Sequence, residues 1–70
     1  MPQRPELSIV VPAFNEVENV PLLHQAVTTT MKTIRKSYEL IVVDDGSKDG
    51  TFEALKLLQA KDKHLVIVNF

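Results

Sequence analysis

Three short apolar runs divide the chain: Leu7 to Val11, Glu39 to Val43, and His64 to Val68. They are rich in Ile and Val and barely alternate with polar residues, the pattern of parallel strands buried on both faces. Between the first two, Val20, Leu23, Val27, Met31 and Ile34 recur every three or four residues, one stripe of a helix. Asn19 is placed to cap that helix, and Pro21 sits in its first turn, where a missing N–H costs nothing. Lys32, Arg35 and Lys36 fall in its last turns, suited to the negative end of the helix dipole. A second helix is predicted from Thr51 to Lys61, with Phe52, Leu55 and Leu58 on its apolar face and Ala54 and Leu57 beside them. Asp49 or Thr51 is available to cap it.

The order β-α-β-α-β with short connections predicts two right-handed crossovers and a three-stranded parallel sheet ordered 3-2-1. This α/β arrangement binds ligands at the carboxyl ends of its strands. Two loops leave those ends on the same edge, Pro12 to Glu18 and Asp44 to Gly50.

Composition narrows the classes. Seventy residues make at most one small domain or a piece of a larger one. With no cysteine there is no disulfide and no thiolate metal site, and His24 and His64 lack metal-ligand spacing. A hydrophobic content of 44% is that of a folded chain. The net charge of −1 gives no electrostatic case for nucleic acid or an anionic membrane. No apolar run approaches the ~20 residues of a membrane-spanning helix. Residues 1–6 read as a short extended leader marked by Pro2 and Pro5, without the apolar core of a signal peptide.

The first loop, Pro12-Ala13-Phe14-Asn15-Glu16, begins with a proline expected to end the strand ladder. Phe14 at a strand exit can offer a ring face to a flat ligand, or plug the core. The second loop, Asp44 to Thr51, holds three carboxylates and both glycines of the chain. A carboxylate held at a strand end accepts hydrogen bonds only, so it can read nucleobase N–H groups or a ribose hydroxyl, or hold a cation. The same composition also suits a turn that caps the next helix.

Spacing excludes several rivals. There is no P-loop, no G-x-G-x-x-G and no G-x-S-x-G. An EF-hand register from Asp45 places Lys56 where a bidentate Glu is required. Leu40 to Asp45 is similar to the acidic opening strand of response-regulator receiver domains. Here, however, a strand and a helix precede the acids, and Val68-Asn69-Phe70 supplies no phospho-acceptor Asp.

Taken together, Ser8-Ile9-Val10-Val11-Pro12-Ala13-Phe14-Asn15-Glu16, Glu39 to Ser47 and Asp49-Gly50-Thr51 resemble the N-terminus of family 2 glycosyltransferases. Among these the dolichol- or polyprenyl-phosphate sugar synthases are the most similar. The resemblance runs from Leu7 to Phe70 and implies the nucleotide-binding part of a GT-A, Rossmann-like fold. It assigns Pro12, Phe14, Glu16, Val43 and Asp45 to the nucleoside pocket, with Phe14 where Tyr is more usual and Asp45 as direct ligand. Asp44 is expected to be structural, and Asp49-Gly50-Thr51 a scaffold turn. The implied reaction moves a sugar from a UDP- or GDP-sugar to a polyprenyl phosphate at the cytoplasmic face of a membrane. The divalent metal, Mg²⁺ or Mn²⁺, and the catalytic residues are expected outside this segment. Residues 7–70 are thus expected to be a donor-binding segment of a longer domain, with no catalytic residue of its own.

Overall fold

The computed structural model describes residues 4–70. The sequence alternates strand and helix as its pattern predicts: β1 (Leu7–Ala13), α1 (Val20–Ile34), β2 (Tyr38–Asp44), α2 (Thr51–Gln59) and β3 (Leu65–Asn69). The strands form one parallel sheet in the order β1-β2-β3, with Leu7 opposite Tyr38 and Leu40 opposite Leu65. Of the leader, Met1–Gln3 lie outside the described residues.

Two crossovers of the same hand, each moving one strand over, put both helices on one face of the sheet. Ala13, Leu40, Val42 and Leu65 point to that face and pack with Val20 of α1 and Leu55 of α2 as the buried core. Ile9, Val11, Val27, Ala54, Leu58 and Ile67 close around them.

The opposite face differs from the expectation of strands buried on both sides. Val10 is 62% exposed, and Val66 and Val68 are also exposed. Continuous apolar runs therefore mark strands suited to two covered faces, while the two helices present cover only one. Two residues of the expected helical stripes are exposed as well. Ile34 lies at the end of α1, and Leu57 points away from the α2 face that buries Leu55.

Local details also depart from the pattern. Pro12 does not end β1: the strand continues to Ala13, with Pro12 opposite Val43. β1 is an edge strand, where one row of N–H groups faces away from the sheet and proline is tolerated. Asn19 occupies the N-cap position of α1 but makes no side-chain cap; its amide donates instead to Glu16 Oε2 at 2.8 Å. α1 ends on Arg35 in the left-handed region (φ 61°), whose N–H donates to the Met31 carbonyl at 2.9 Å. α2 stops at Gln59, two residues earlier than expected, because Lys61 N–H donates to the Leu58 carbonyl and tightens the chain into a turn. Its N-cap is Gly50 at φ 93°. Asp49 Oδ1, one residue further out, receives the Thr51 N–H at 3.1 Å, so Asp49 serves the first free donor of the helix.

Candidate functional site

The ends of β1 and β2 carry the two loops side by side, as parallel strands in register require. Asp44 closes β2 with its side chain on the helix face and is fully buried. Its Oδ1 accepts the Ser47 N–H at 3.1 Å, which folds the chain into a tight turn at Gly46 (φ 74°). Its backbone carbonyl accepts the Phe70 N–H at 3.0 Å, and its Oδ2 has no partner. Asp44 is therefore a fastener of the loop, as the sequence reading expected.

Because side chains alternate along a strand, Asp45 projects to the opposite side of the sheet and is exposed. There it meets Val43 from β2, Pro12, Ala13 and Phe14 from the end of β1, and Phe70 after β3. These six residues line a hollow of about 480 Å³ at the carboxyl edge of the sheet. Its lining is mostly apolar and includes two phenyl rings, and Asp45 is its one charged side chain. Phe14 is 58% exposed, so its ring is available to a ligand rather than consumed as a core plug. Four of the five residues assigned to the nucleoside pocket thus come together.

Glu16 is placed differently. It lines a neighbouring, more polar hollow of about 360 Å³ with Asn15, Val17, Glu18, Asn19 and Asp49. Its Oε2 is engaged by the Asn19 amide.

A set of cross-loop hydrogen bonds fixes the two loops to each other. Asn15 N–H donates to Ser47 Oγ at 2.8 Å, and Lys48 N–H donates back to Asn15 Oδ1 at 2.9 Å. Asn15 holds a left-handed backbone (φ 51°) to do so, a conformation Asn tolerates better than most residues. Glu16 N–H donates to Thr51 Oγ1 at 3.0 Å, and Val17 N–H to Asp49 Oδ2 at 3.2 Å. The Thr51 hydroxyl in turn donates to Asp49 Oδ1. That bond is the main reason the Asp49 carboxyl is held below its ordinary value; partial desolvation opposes it and the Val17 N–H assists. Sequence reasoning gave Asn15 and Ser47 no such role. Their polar character in a loop was visible, but their partners lie more than thirty residues away.

A third hollow, of about 350 Å³, lies toward the amino edge of the sheet among His24, Thr28, Met31, Lys32, Tyr38, Lys61, Asp62 and His64. The two histidines, isolated in sequence, meet on one carboxylate. His24 Nε2 lies 2.7 Å from Asp62 Oδ2, and His64 Nδ1 lies 2.7 Å from Asp62 Oδ1. The His64 ring stacks on Tyr38, with centroids 4.0 Å apart. Burial works against the Asp62 charge, but hydrogen bonds from the His64 backbone N–H and both rings outweigh it and hold the carboxyl below its ordinary value. Burial, then the Asp62 charge, pushes the Tyr38 phenol up.

Among the described residues no group of three or more His, Asp or Glu is arranged to hold a metal ion. Nor, among them, is any helix long and apolar enough to cross a membrane. The position beside Asp44 on β3 is Asn69, so the third carboxylate of a receiver-type acidic site is missing there.

Known proteins resemble this chain in sequence and in fold. The pattern of the family described as "Glycosyl transferase family 2" matches residues 8–70. The undecaprenyl-phosphate 4-deoxy-4-formamido-L-arabinose transferase of Salmonella choleraesuis (strain SC-B67) is 34% identical over 64 residues, which cover 90% of this chain and 20% of that protein. The mannosyltransferase PcManGT of Pyrobaculum calidifontis, solved in complex with GDP-Man and Mn²⁺, superposes with a TM-score of 0.64 at 26% identity. That match covers 96% of this chain and 20% of the archaeal one. The chain therefore spans about one fifth of the length of these relatives. Its three parallel strands and two helices are part of a GT-A fold, and the chain belongs to glycosyl transferase family 2.

Proposed function

We propose that residues 7–70 bind the nucleoside of a nucleotide-sugar donor in the hollow between Phe14 and Asp45. The whole enzyme then transfers the sugar to a polyprenyl phosphate. The observation that carries the reading is the meeting of Pro12, Phe14, Val43 and Asp45 at one carboxyl edge. Such an edge is where open α/β sheets take their ligands.

Each residue has a role its chemistry allows. Pro12 and Val43 give a flat apolar floor for a base. The exposed Phe14 ring stacks on it, an interaction worth ~1–3 kcal/mol per base. Asp45 accepts hydrogen bonds only, so it favours bases that present a ring N–H. Uracil and guanine both do, whereas neutral cytosine and adenine present an acceptor nitrogen at the equivalent edge. This supports a UDP- or GDP-sugar as donor. Glu16, in the adjoining hollow, stands on the same loop and is proposed to face the part of the donor beyond the base. The solved relative holds GDP-Man, and the bacterial relative is named for an undecaprenyl-phosphate acceptor. Both support the donor and acceptor classes proposed here, and the acceptor would bring the enzyme to the cytoplasmic face of a membrane.

A divalent cation, Mg²⁺ or Mn²⁺, would neutralise the leaving diphosphate. The described residues do not form a site for it, and we place its ligands elsewhere in the whole enzyme.

Calorimetric titration of the full-length enzyme with UDP and with GDP tests the reading. Asp45→Ala is expected to weaken the preferred nucleotide by about 1–3 kcal/mol, the value of a charge-assisted hydrogen bond. Unchanged affinity for both nucleotides would remove Asp45 from the site.

A further inference from the structure

Both glycines of the chain follow an aspartate, giving the pairs Asp45–Gly46 and Asp49–Gly50. Such a pair rearranges without a catalyst. The glycine nitrogen attacks the side-chain carboxyl carbon; a C–N bond forms, a C–O bond breaks, and water leaves to give a five-membered imide. Water then reopens the ring at either carbonyl. Opening at the side-chain carbonyl returns aspartate. Opening at the main-chain carbonyl routes the backbone through the side-chain carbon and leaves isoaspartate of the same mass. Glycine favours the reaction because no Cβ obstructs the approach to its nitrogen.

In sequence the two pairs are alike; in the fold they are not. Asp45 is exposed, and among the described residues no donor reaches its carboxylate and the Gly46 N–H has no acceptor. Apart from its chain neighbours, no atom lies within 4 Å of the Cβ position of Gly46, so the loop has room for the imide. Asp49 is held on both oxygens. Its Oδ1 receives the Thr51 hydroxyl and, at 3.1 Å, the Thr51 N–H; its Oδ2 receives the Val17 N–H at 3.2 Å. These bonds, the Thr51 hydroxyl foremost, keep the Asp49 carboxyl ionised, and a carboxylate is a poor electrophile. Gly50 occupies the N-cap position of α2, where its carbonyl accepts the Ala54 N–H at 3.0 Å. At least two hydrogen bonds must open before Asp49 can turn toward the Gly50 nitrogen, which slows it roughly tenfold or more.

We propose that Asp45–Gly46, and not Asp49–Gly50, is a site of spontaneous isoaspartate formation, and that a nucleotide held by Asp45 blocks it. The second half rests on the donor reading above; the first does not. The consequence follows from the connectivity. Isoaspartate lengthens the main chain by a carbon and shortens the side chain by a carbon. The carboxylate therefore withdraws from the Phe14 hollow, and the turn closed by Asp44 Oδ1 and the Ser47 N–H is stretched. An enzyme without nucleotide ages at its own binding site, and a nucleotide-bound one is preserved.

The test is storage of the full-length enzyme at neutral pH and body temperature for several weeks, with and without saturating UDP or GDP, followed by peptide mapping. Isoaspartyl and aspartyl peptides are separated by chromatography and distinguished by electron-transfer fragmentation. Without nucleotide, isoaspartate from Asp45 should exceed that from Asp49 by roughly tenfold or more. The preferred nucleotide should lower it severalfold. Calorimetry of the stored protein should show nucleotide sites lost in proportion to isoaspartate, with unchanged affinity in the remainder. Thr51→Val removes one donor from Asp49 and should raise isomerisation there severalfold, with circular dichroism checking the fold. Equal rates at the two pairs, or no isoaspartate from Asp45, would overturn the proposal. Isoaspartate that forms at Asp45 equally fast with nucleotide present would leave the modification site standing and remove Asp45 from the donor site.

Discussion

Thr51→Val is the sharpest perturbation of the loop architecture because it changes chemistry while keeping shape. Thr51 is fully buried, and its hydroxyl links two groups: it accepts the Glu16 N–H at 3.0 Å and donates to Asp49, which also receives the Thr51 N–H. Valine fills nearly the same volume, so no cavity contributes. What is lost is one acceptor and one donor, and the Glu16 N–H is left facing a methyl group. Glu16 is exposed and this bond is part-buried, so water reaches the freed N–H and the cost lies toward the lower end of the ~1–3 kcal/mol of an unsatisfied buried donor. A loss of about 1 kcal/mol corresponds to a melting temperature lower by roughly 4–8 °C in a chain of this size. Urea denaturation should show a lower midpoint with an unchanged slope, since the surface exposed on unfolding is the same. A second readout is independent of stability. The Thr51 hydroxyl is the main cause of the lowered Asp49 pKa, so the carboxyl titration followed by NMR should move upward in the variant. Thr51→Ser, which keeps the hydroxyl, should leave that titration in place. A Thr51→Val protein as stable as the parent, with Asp49 titrating unchanged, would refute the fastening role.

Further predictions concern other elements. Asp62 titrates below its ordinary value in the fold, so the stability it contributes is present above about pH 4, where the unfolded carboxyl ionises, and is lost as pH falls through its folded value. Asp62→Asn should flatten the pH dependence of the urea midpoint in that acid range, and an unchanged slope would contradict the linkage. Arg35 holds a left-handed φ of 61° at the end of α1, so Arg35→Gly should raise stability by up to ~1 kcal/mol, read as a higher urea midpoint. A lower midpoint would mean that the Arg35 side chain contributes more than its backbone conformation costs.

The elements and their order could be read in the sequence because the signals are local. Val- and Ile-rich runs, a 3.6-residue stripe and short connections leave few topologies. What the pattern could not give depends on neighbours. Pro12 remains in β1 because that strand lies at the sheet edge, and Asn19 turns to Glu16 rather than to its own helix. The covered face was legible as apolar, but nothing in Val10, Val66 or Val68 distinguishes a face with helices from one without. Pro12, Phe14, Val43 and Asp45 were singled out by the family resemblance, and alternation along two adjacent strand ends accounts for their lining one hollow. The fasteners Asn15, Ser47, Asp49 and Thr51 were legible only as turn formers, since each pairs with a residue in the other loop. A net charge of −1 likewise records only a total and not that most acids and most bases occupy opposite edges.

The central claim is that the Pro12–Phe14–Val43–Asp45 hollow receives the donor base. NMR titration with UDP and GDP, following backbone amides and the aromatic signals of Phe14 and Tyr38, tests it directly. The account predicts saturable shift changes centred on Ala13, Phe14, Val43 and Asp45, with the His24–Asp62–His64 hollow unmoved. Changes centred on that histidine hollow, or none at the carboxyl edge with either nucleotide, would contradict it.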